Sequence, residues 1–185
     1  ALGHPEIKFL YKFEENLTHV YKKENFNNEG FKYRILEVFQ DDFFSNSLLV
    51  ENKIQSDLGD IKLRGFISIP SYNKVNQSYQ FLFVNGRPVQ DRGLSAVIRL
   101  SYRDNLPRGR HPLYCLMLDL SNDQIDVNVH PTKLEVKFQN YEFLKSFVIN
   151  SITKALQIKN NNKISKTFNI SEISNNISSH KSELK

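Results

Sequence analysis

Two apolar runs, Tyr79 to Val84 and Leu113 to Leu120, flank an Asn85-Gly86 turn and an amphipathic helix read from Asp91 to Tyr102. That succession leaves few ways to bury every apolar face. Strand, turn, helix and strand in this order make an α/β layout in which the helix covers a sheet. The pattern continues with Val127 to Phe138, interrupted around Pro131, and a last helix from Tyr141 to about Gln157. Phe143, Leu144, Phe147, Val148 and Ile152 give that helix one broad apolar face for the same sheet.

Upstream, Ile7 to Phe13 alternates apolar and polar residues, and Thr18 to Lys22 is its expected hairpin partner across Glu15, Asn16 and Leu17. Phe31, Ile35, Val38 and Phe39 recur at helical spacing and predict a short helix ending before Asp41. Leu48 to Ile54 and Ile61 to Ile69 predict a second hairpin around the turn formers Asp57, Gly59 and Asp60. Ser71 to Ser78 is polar and reads as a surface connection. Residues 1–157 thus form one domain, and 158–185, rich in Asn, Ser and Lys without sustained periodicity, read as a flexible linker.

A chain of 185 residues with 39% hydrophobic content has enough material for one folded core. No apolar run approaches the roughly 20 residues that cross a bilayer, and no signal peptide is visible, so a cytoplasmic location without a membrane partner is expected. The single cysteine, Cys115, lies in an apolar run; it excludes an internal disulfide and reads as a small buried hydrophobe. A net charge of +5 is compatible with an acidic partner such as nucleic acid, though the positions of the charges carry more information than their sum. The chain opens at Ala1 without a Met and reads as a piece of something longer.

Those positions are ordered. At about 100° per residue, Arg92, Arg99 and Arg103 fall within roughly 40° of one another on the helix from Asp91, opposite Leu94, Val97, Ile98 and Ser101. Guanidiniums grip phosphate oxygens through paired hydrogen bonds, and each neutralised phosphate releases counterions. A solvated face partly neutralised by Asp91 and Asp104 has the same pattern, so the wheel alone does not name a ligand. Arg87, Arg108 and Arg110 lie in the flanking turns.

A second constellation is Asp126-Val-Asn-Val-His-Pro-Thr-Lys133. Strand alternation puts Asp126, Asn128 and His130 on one side, Pro131 ends the ladder, and Lys133 is expected in a turn where it can reach outward. The Asn and His are expected to hold that turn by hydrogen bonds to backbone. No nucleophile motif accompanies His130, which argues against an autonomous hydrolase. No Cys/His cluster and no complete Gly-rich phosphate loop is present.

Three segments, Phe83-Val-Asn-Gly-Arg-Pro-Val-Gln-Asp-Arg92, Asp126-Val-Asn-Val-His-Pro-Thr-Lys133 and Leu134-Glu-Val-Lys-Phe138, together resemble the MutL family of DNA mismatch repair proteins. The opening Ala1-Leu-Gly-His-Pro-Glu-Ile7 is similar to the family's stretch beyond its ATPase core, so the resemblance runs to about Gln157. Thr132 stands where Ala is common and Lys137 where Arg is more usual. The transducer of a related GHKL machine, such as a type II topoisomerase, fits these signatures less well. A free-standing nucleic-acid-binding module would use the arginines and leave Lys133 without a role.

The resemblance implies an α+β fold: a mixed sheet with helices packed on one face and a left-handed βαβ crossover, the ribosomal-protein-like second domain of GHKL ATPases. The general rule for parallel crossovers would make it right-handed. It also implies that Lys133 contacts the ATP γ-phosphate in a preceding ATPase domain and that Arg92 contacts DNA. Arg99 and Arg103 extend that site by the wheel. Asn85, Gly86, Arg87, Asp126, Asn128, His130 and Pro131 are expected to structure the loops. ATP and Mg belong to the full-length protein, a homodimer that closes on ATP, works with MutS and DNA, and has or lacks its own endonuclease. The piece itself is expected to carry no cofactor and not to hydrolyse ATP alone.

Overall fold

The computed structural model describes residues 1–13, 16–25, 28–39, 41–55, 59–103, 105–126 and 137–157. In chain order the elements begin with a hairpin, β1 (Phe9–Phe13) and β2 (Asn16–Tyr21), then α1 (Asn28–Phe39) and α2 (Asp41–Ser45). A second hairpin, β3 (Ser47–Ile54) and β4 (Ile61–Ser68), precedes the two-residue β5 (Asn73–Lys74), β6 (Gln80–Val84) and β7 (Arg87–Val89). Then follow α3 (Arg92–Leu100), β8 (His111–Pro112), β9 (Tyr114–Leu120), a 3-10 turn (Asn122–Gln124), β10 (Ile125–Asp126), β11 (Lys137–Phe138) and α4 (141–157).

The main sheet has the order β3-β4-β9-β6-β7. β9 lies at its centre because its residues are apolar on both faces: Tyr114, Leu116, Leu118 and Leu120 enter one core, Cys115 and Met117 the other. β4 runs antiparallel to β9, from Ile61 opposite Leu120 to Ile67 opposite Tyr114. β6 runs parallel to it, Gln80 opposite Tyr114 and Val84 opposite Leu118, so α3 lies within a crossover between adjacent parallel strands. The sheet is mixed and the fold is α+β.

The expected packing of helices on one face holds for α3 and α4, whose Leu94, Val97, Ile98, Leu144, Phe147, Val148 and Ile152 share one core with Leu63, Leu82 and Leu116. The opposite face is also covered. There Phe31, Ile35 and Phe39 of α1 and Phe43 of α2 bury Phe83, Cys115 and Met117. The reason is aromatic: Phe39 packs on Phe43, Tyr79 and Phe81 with ring centroids 4.4, 5.6 and 5.4 Å apart, and Leu2 joins the same buried cluster. Two layers of helix on a central sheet is therefore the observed arrangement.

Polar groups tie the layers together. Fully buried Tyr102 donates its hydroxyl to the Ser68 carbonyl at 2.7 Å, while Ser68 Oγ accepts from the Leu113 amide at 3.0 Å. Asn52 on β3 donates to Ser151 Oγ on α4 at 2.9 Å. Among the described residues no helix is long and apolar enough to cross a membrane.

Three features differ from the sequence expectations. β2 begins at Asn16, so two of the residues expected in the turn are already paired, and the ladder is irregular between Tyr11 and Lys12. Asn85-Gly86 makes a hairpin, not a direct entry to the helix, because Arg87–Val89 folds back on β6 as β7. Inside the expected surface connection, β5 pairs with β8, Lys74 opposite His111.

Candidate nucleic-acid interface

The position of α3 is set by what precedes it. Asn85 and Gly86 have φ of 48° and 77°, the two positive values that a tight hairpin turn of the primed type needs. The Asn85 side chain then behaves as one more peptide group of β6: its Oδ1 accepts from the Leu120 amide at 2.8 Å and its Nδ2 donates to the Leu120 carbonyl at 2.9 Å. The turn is thereby anchored to the central strand. Arg87 is exposed, opposite Val84 in the ladder. Asp91 ends the excursion as the N-cap of α3, its Oδ1 accepting from the Leu94 amide at 2.7 Å.

From that cap, Arg92, Ser95, Ala96 and Arg99 fall on one face of α3 and line an open groove of about 710 Å³. Leu82, Val89 and Tyr114 also line it, from the sheet, with Gln77, Gln80, Gln90, Asp91 and His111 among the polar residues of the lining. Arg92 is exposed; Arg99 is half-buried and fastened, its Nη1 donating to the Arg110 carbonyl at 2.9 Å and standing 3.1 Å from His111 Nδ1. Burial, and then the Arg99 charge, lowers the His111 pKa from its ordinary value. Burial likewise pushes the Tyr114 phenol up, so it remains a neutral hydroxyl, 3.5 Å from both Gln80 Oε1 and Ser95 Oγ. Among the described residues Asp91 is the single acid of the lining, and its carboxylate is engaged in capping. The groove presents two permanent cations and several neutral hydrogen-bonding groups.

Arg103 does not join them. The helix ends at Leu100, and its last turn tightens, with Tyr102 N donating to the Arg99 carbonyl at 3.0 Å and Arg103 N to the Leu100 carbonyl at 3.1 Å. A wheel at 100° per residue therefore stops being valid before position 103. Arg103 lines a separate concavity of about 420 Å³ with Leu100, Asn105 and the α4 residues Ile149, Thr153 and Leu156. In the second constellation, Asp126 pairs through its backbone with Lys137. Asn128, His130, Pro131 and Lys133 lie outside the described residues. Among the described residues no group of three or more His, Cys, Asp or Glu side chains is placed to hold a metal ion.

Comparison with known proteins bears on this arrangement directly. A family profile described as "DNA mismatch repair protein, C-terminal domain" matches residues 35–157, which include the whole groove. The chain belongs to the MutL family of DNA mismatch repair proteins. It is 38% identical over 160 residues to the DNA mismatch repair protein MutL of Rickettsia felis, covering 86% of this chain and 26% of that protein. For the MutL protein of Rickettsia akari the identity is 37% over 157 residues, covering 84% and 25%. The chain thus spans about a quarter of the length of these MutL relatives. A crystal structure of the N-terminal domain of a DNA repair protein shares the fold, with a TM-score of 0.67 at 22% identity, over 86% of this chain and 50% of that one.

Several residues of the MutL-family groove were invisible to sequence reading. His111, Gln77 and Gln80 reach it through the β5–β8 pairing and the end of β6, contacts that join positions more than thirty apart. Tyr114 was legible only as a strand residue. Arg34, a fully buried residue of α1 whose side chain reaches the chain's first residues, carried no local signal at all.

Proposed function

We propose that this chain is the transducer region of a MutL-type mismatch repair ATPase: it takes DNA backbone phosphates in the α3 groove and couples that contact to ATP turnover in a preceding domain through Lys133. The observation that carries the DNA half is the groove itself, where Arg92 and Arg99 stand on one helix face and Asp91, the one acid that lines it among the described residues, is committed to a cap. Fixed guanidiniums bind phosphate with little regard for base sequence and with marked salt dependence. The nucleotide half rests on family membership and the Asp126 to Lys133 segment. ATP and Mg are assigned to the part of the longer protein that precedes this chain, and Lys133 is this chain's contribution, an ammonium that neutralises γ-phosphate charge across the domain boundary. Closure of a dimer on ATP and cooperation with MutS belong to the same reading.

The test is ATP turnover by the full-length protein with and without single-stranded DNA. Lys133→Ala is expected to lower turnover by about a hundredfold, the usual scale for removing one preorganised charge from a transition state. Arg92→Glu is expected to weaken oligonucleotide binding about tenfold across all sequences, to flatten its salt dependence by about one contact, and to remove much of the stimulation by DNA. Unchanged turnover in Lys133→Ala overturns the nucleotide half, and a sequence-selective loss in Arg92→Glu overturns the DNA half.

A further inference from the structure

Two of the groove's polar side chains converge on a single acceptor atom. Arg99 Nη1 stands 3.1 Å from His111 Nδ1, and Gln77 Nε2 approaches the same nitrogen at 3.3 Å. An arginine has no acceptor, so Nδ1 must bear a lone pair, the ring proton must sit on Nε2, and Gln77 must turn its amide NH2 toward the ring. The two donors come from opposite walls: Arg99 from α3, Gln77 from the segment between β5 and β6. Resting on the reading of this groove as a phosphate site, we propose that His111 is its positioning residue, whose shared Nδ1 fixes Arg99 where a backbone phosphate can take it up and ties the far wall to it.

The imidazole is itself well seated. Lys74 lies opposite His111 in the β5–β8 ladder and Asn73 opposite Pro112; the Pro112 carbonyl accepts from Gln80 Nε2 at 3.0 Å, and Asn73 Nδ2 donates to the Pro70 carbonyl at 2.8 Å. The charged and titratable groups around it are Arg99 and Arg92 from α3, Asp91 at its cap, Lys74 from β5 and Tyr114 from β9. Burial and then the Arg99 charge lower its pKa from the ordinary value, which favours the neutral ring that this arrangement requires. Protonated Nδ1 would lose Arg99, which has no acceptor, and could keep Gln77 only if its amide turned over. Arg99 keeps its other anchor, the Arg110 carbonyl, on the same Nη1, so among the described residues both of these anchors use that one nitrogen and leave Nε and Nη2 to face a ligand. Fixing a long side chain before binding removes an entropic cost from the binding step.

A residue that acts through Arg99 is distinguishable from one that touches the ligand. The measurement is the affinity of the full-length protein for a fluorescent single-stranded oligonucleotide at pH 8 and fixed salt, for Arg99→Ala, His111→Leu, His111→Asn and the double variant Arg99→Ala/His111→Leu. We expect Arg99→Ala to weaken binding about tenfold and His111→Leu by about three- to fivefold. His111→Asn, which keeps an acceptor where Nδ1 stood, restores most of the loss. The double variant binds like Arg99→Ala alone. Long-range 1H–15N spectra of the ring show the Nε2-protonated tautomer in the wild type and a relaxed mixture once both donors are gone, in Arg99→Ala/Gln77→Ala. Additive losses, wild-type affinity in His111→Leu, or an Nδ1-protonated ring in the wild type each overturn the positioning role. If Arg92→Glu and Arg99→Ala both bind as the wild type does, the phosphate reading has failed, and the spectra alone then decide the local one.

Discussion

Gly65→Ala is expected to destabilise the domain by about 3 to 5 kcal/mol, enough to lower the thermal midpoint by roughly 10 °C. Gly65 sits in β4 between both neighbouring strands, opposite Val50 on β3 and Leu116 on β9, with φ of +140°. A Cβ there would meet the Cys115 carbonyl oxygen at 2.1 Å and the Leu116 Cα at 3.0 Å. These are backbone atoms of the central strand, so no side-chain rotation relieves the clash. Relief requires either opening the β4–β9 ladder or forcing a residue with a Cβ to keep a backbone conformation it disfavours. The fully buried Cys115 lies between α1, α2 and the sheet, so a shift of β9 also disturbs the aromatic layer on that face. Denaturant unfolding checks the outcome: a midpoint within error of the wild type would show that β9 can retreat and that this strand pair is looser than its register implies.

The contrast between what was and was not legible follows the range of the interactions. α3 announces itself because its cap, its apolar stripe and its basic face all lie within ten residues, from Asp91 to Leu100. β9 does so through a run apolar on both faces. β7 went unread since three residues with a proline carry no period, although the Asn85-Gly86 pair is a recognised hairpin signal. The wheel placed Arg92 and Arg99 together and overreached at Arg103, where helical geometry had already tightened. His111 and Gln77 meet across 34 positions of sequence, and nothing in either segment encodes that meeting. The coverage of both sheet faces was missed for a related reason: the helix at 28–39 was seen, but its target, Phe83, Cys115 and Met117, is assembled from two strands far downstream. The hand of the crossover came from family likeness and from no pattern in the residues.

Arg34 is the extreme case, and replacing it should have an effect of the same order. Its side chain is wholly inaccessible to solvent and works as a hub of main-chain contacts. Nη1 donates to the Ala1 carbonyl at 2.8 Å and the His4 carbonyl at 3.4 Å; Nη2 donates to the Pro5 and Ile7 carbonyls, each at 3.0 Å, and to the Lys22 carbonyl. Nε pairs with Glu37 at 3.3 Å, and the Phe9 and Tyr21 rings stand 5.7 and 5.5 Å from Cζ. A cation removed from water is tolerable here because main-chain carbonyls take up both Nη atoms and the Glu37 carboxylate balances the charge beside Nε. Arg34→Met supplies similar bulk and no donors. It leaves those carbonyls to find water in a site shaped to exclude it, and we expect a loss of about 3 to 5 kcal/mol. Arg34→Lys should recover little, since an ammonium on a flexible stem cannot span carbonyls arranged for a planar fork. The loss should be local as well as global: amide hydrogen exchange should rise first in residues 1–13 and 16–25, whose attachment to α1 runs through this side chain, while β4 and β9 exchange only on global unfolding. Exchange in the opposite order, with the hairpin as protected as the central strands in Arg34→Met, would mean that the first residues are held by burial of Leu2 and its neighbours and that the guanidinium is incidental to their attachment.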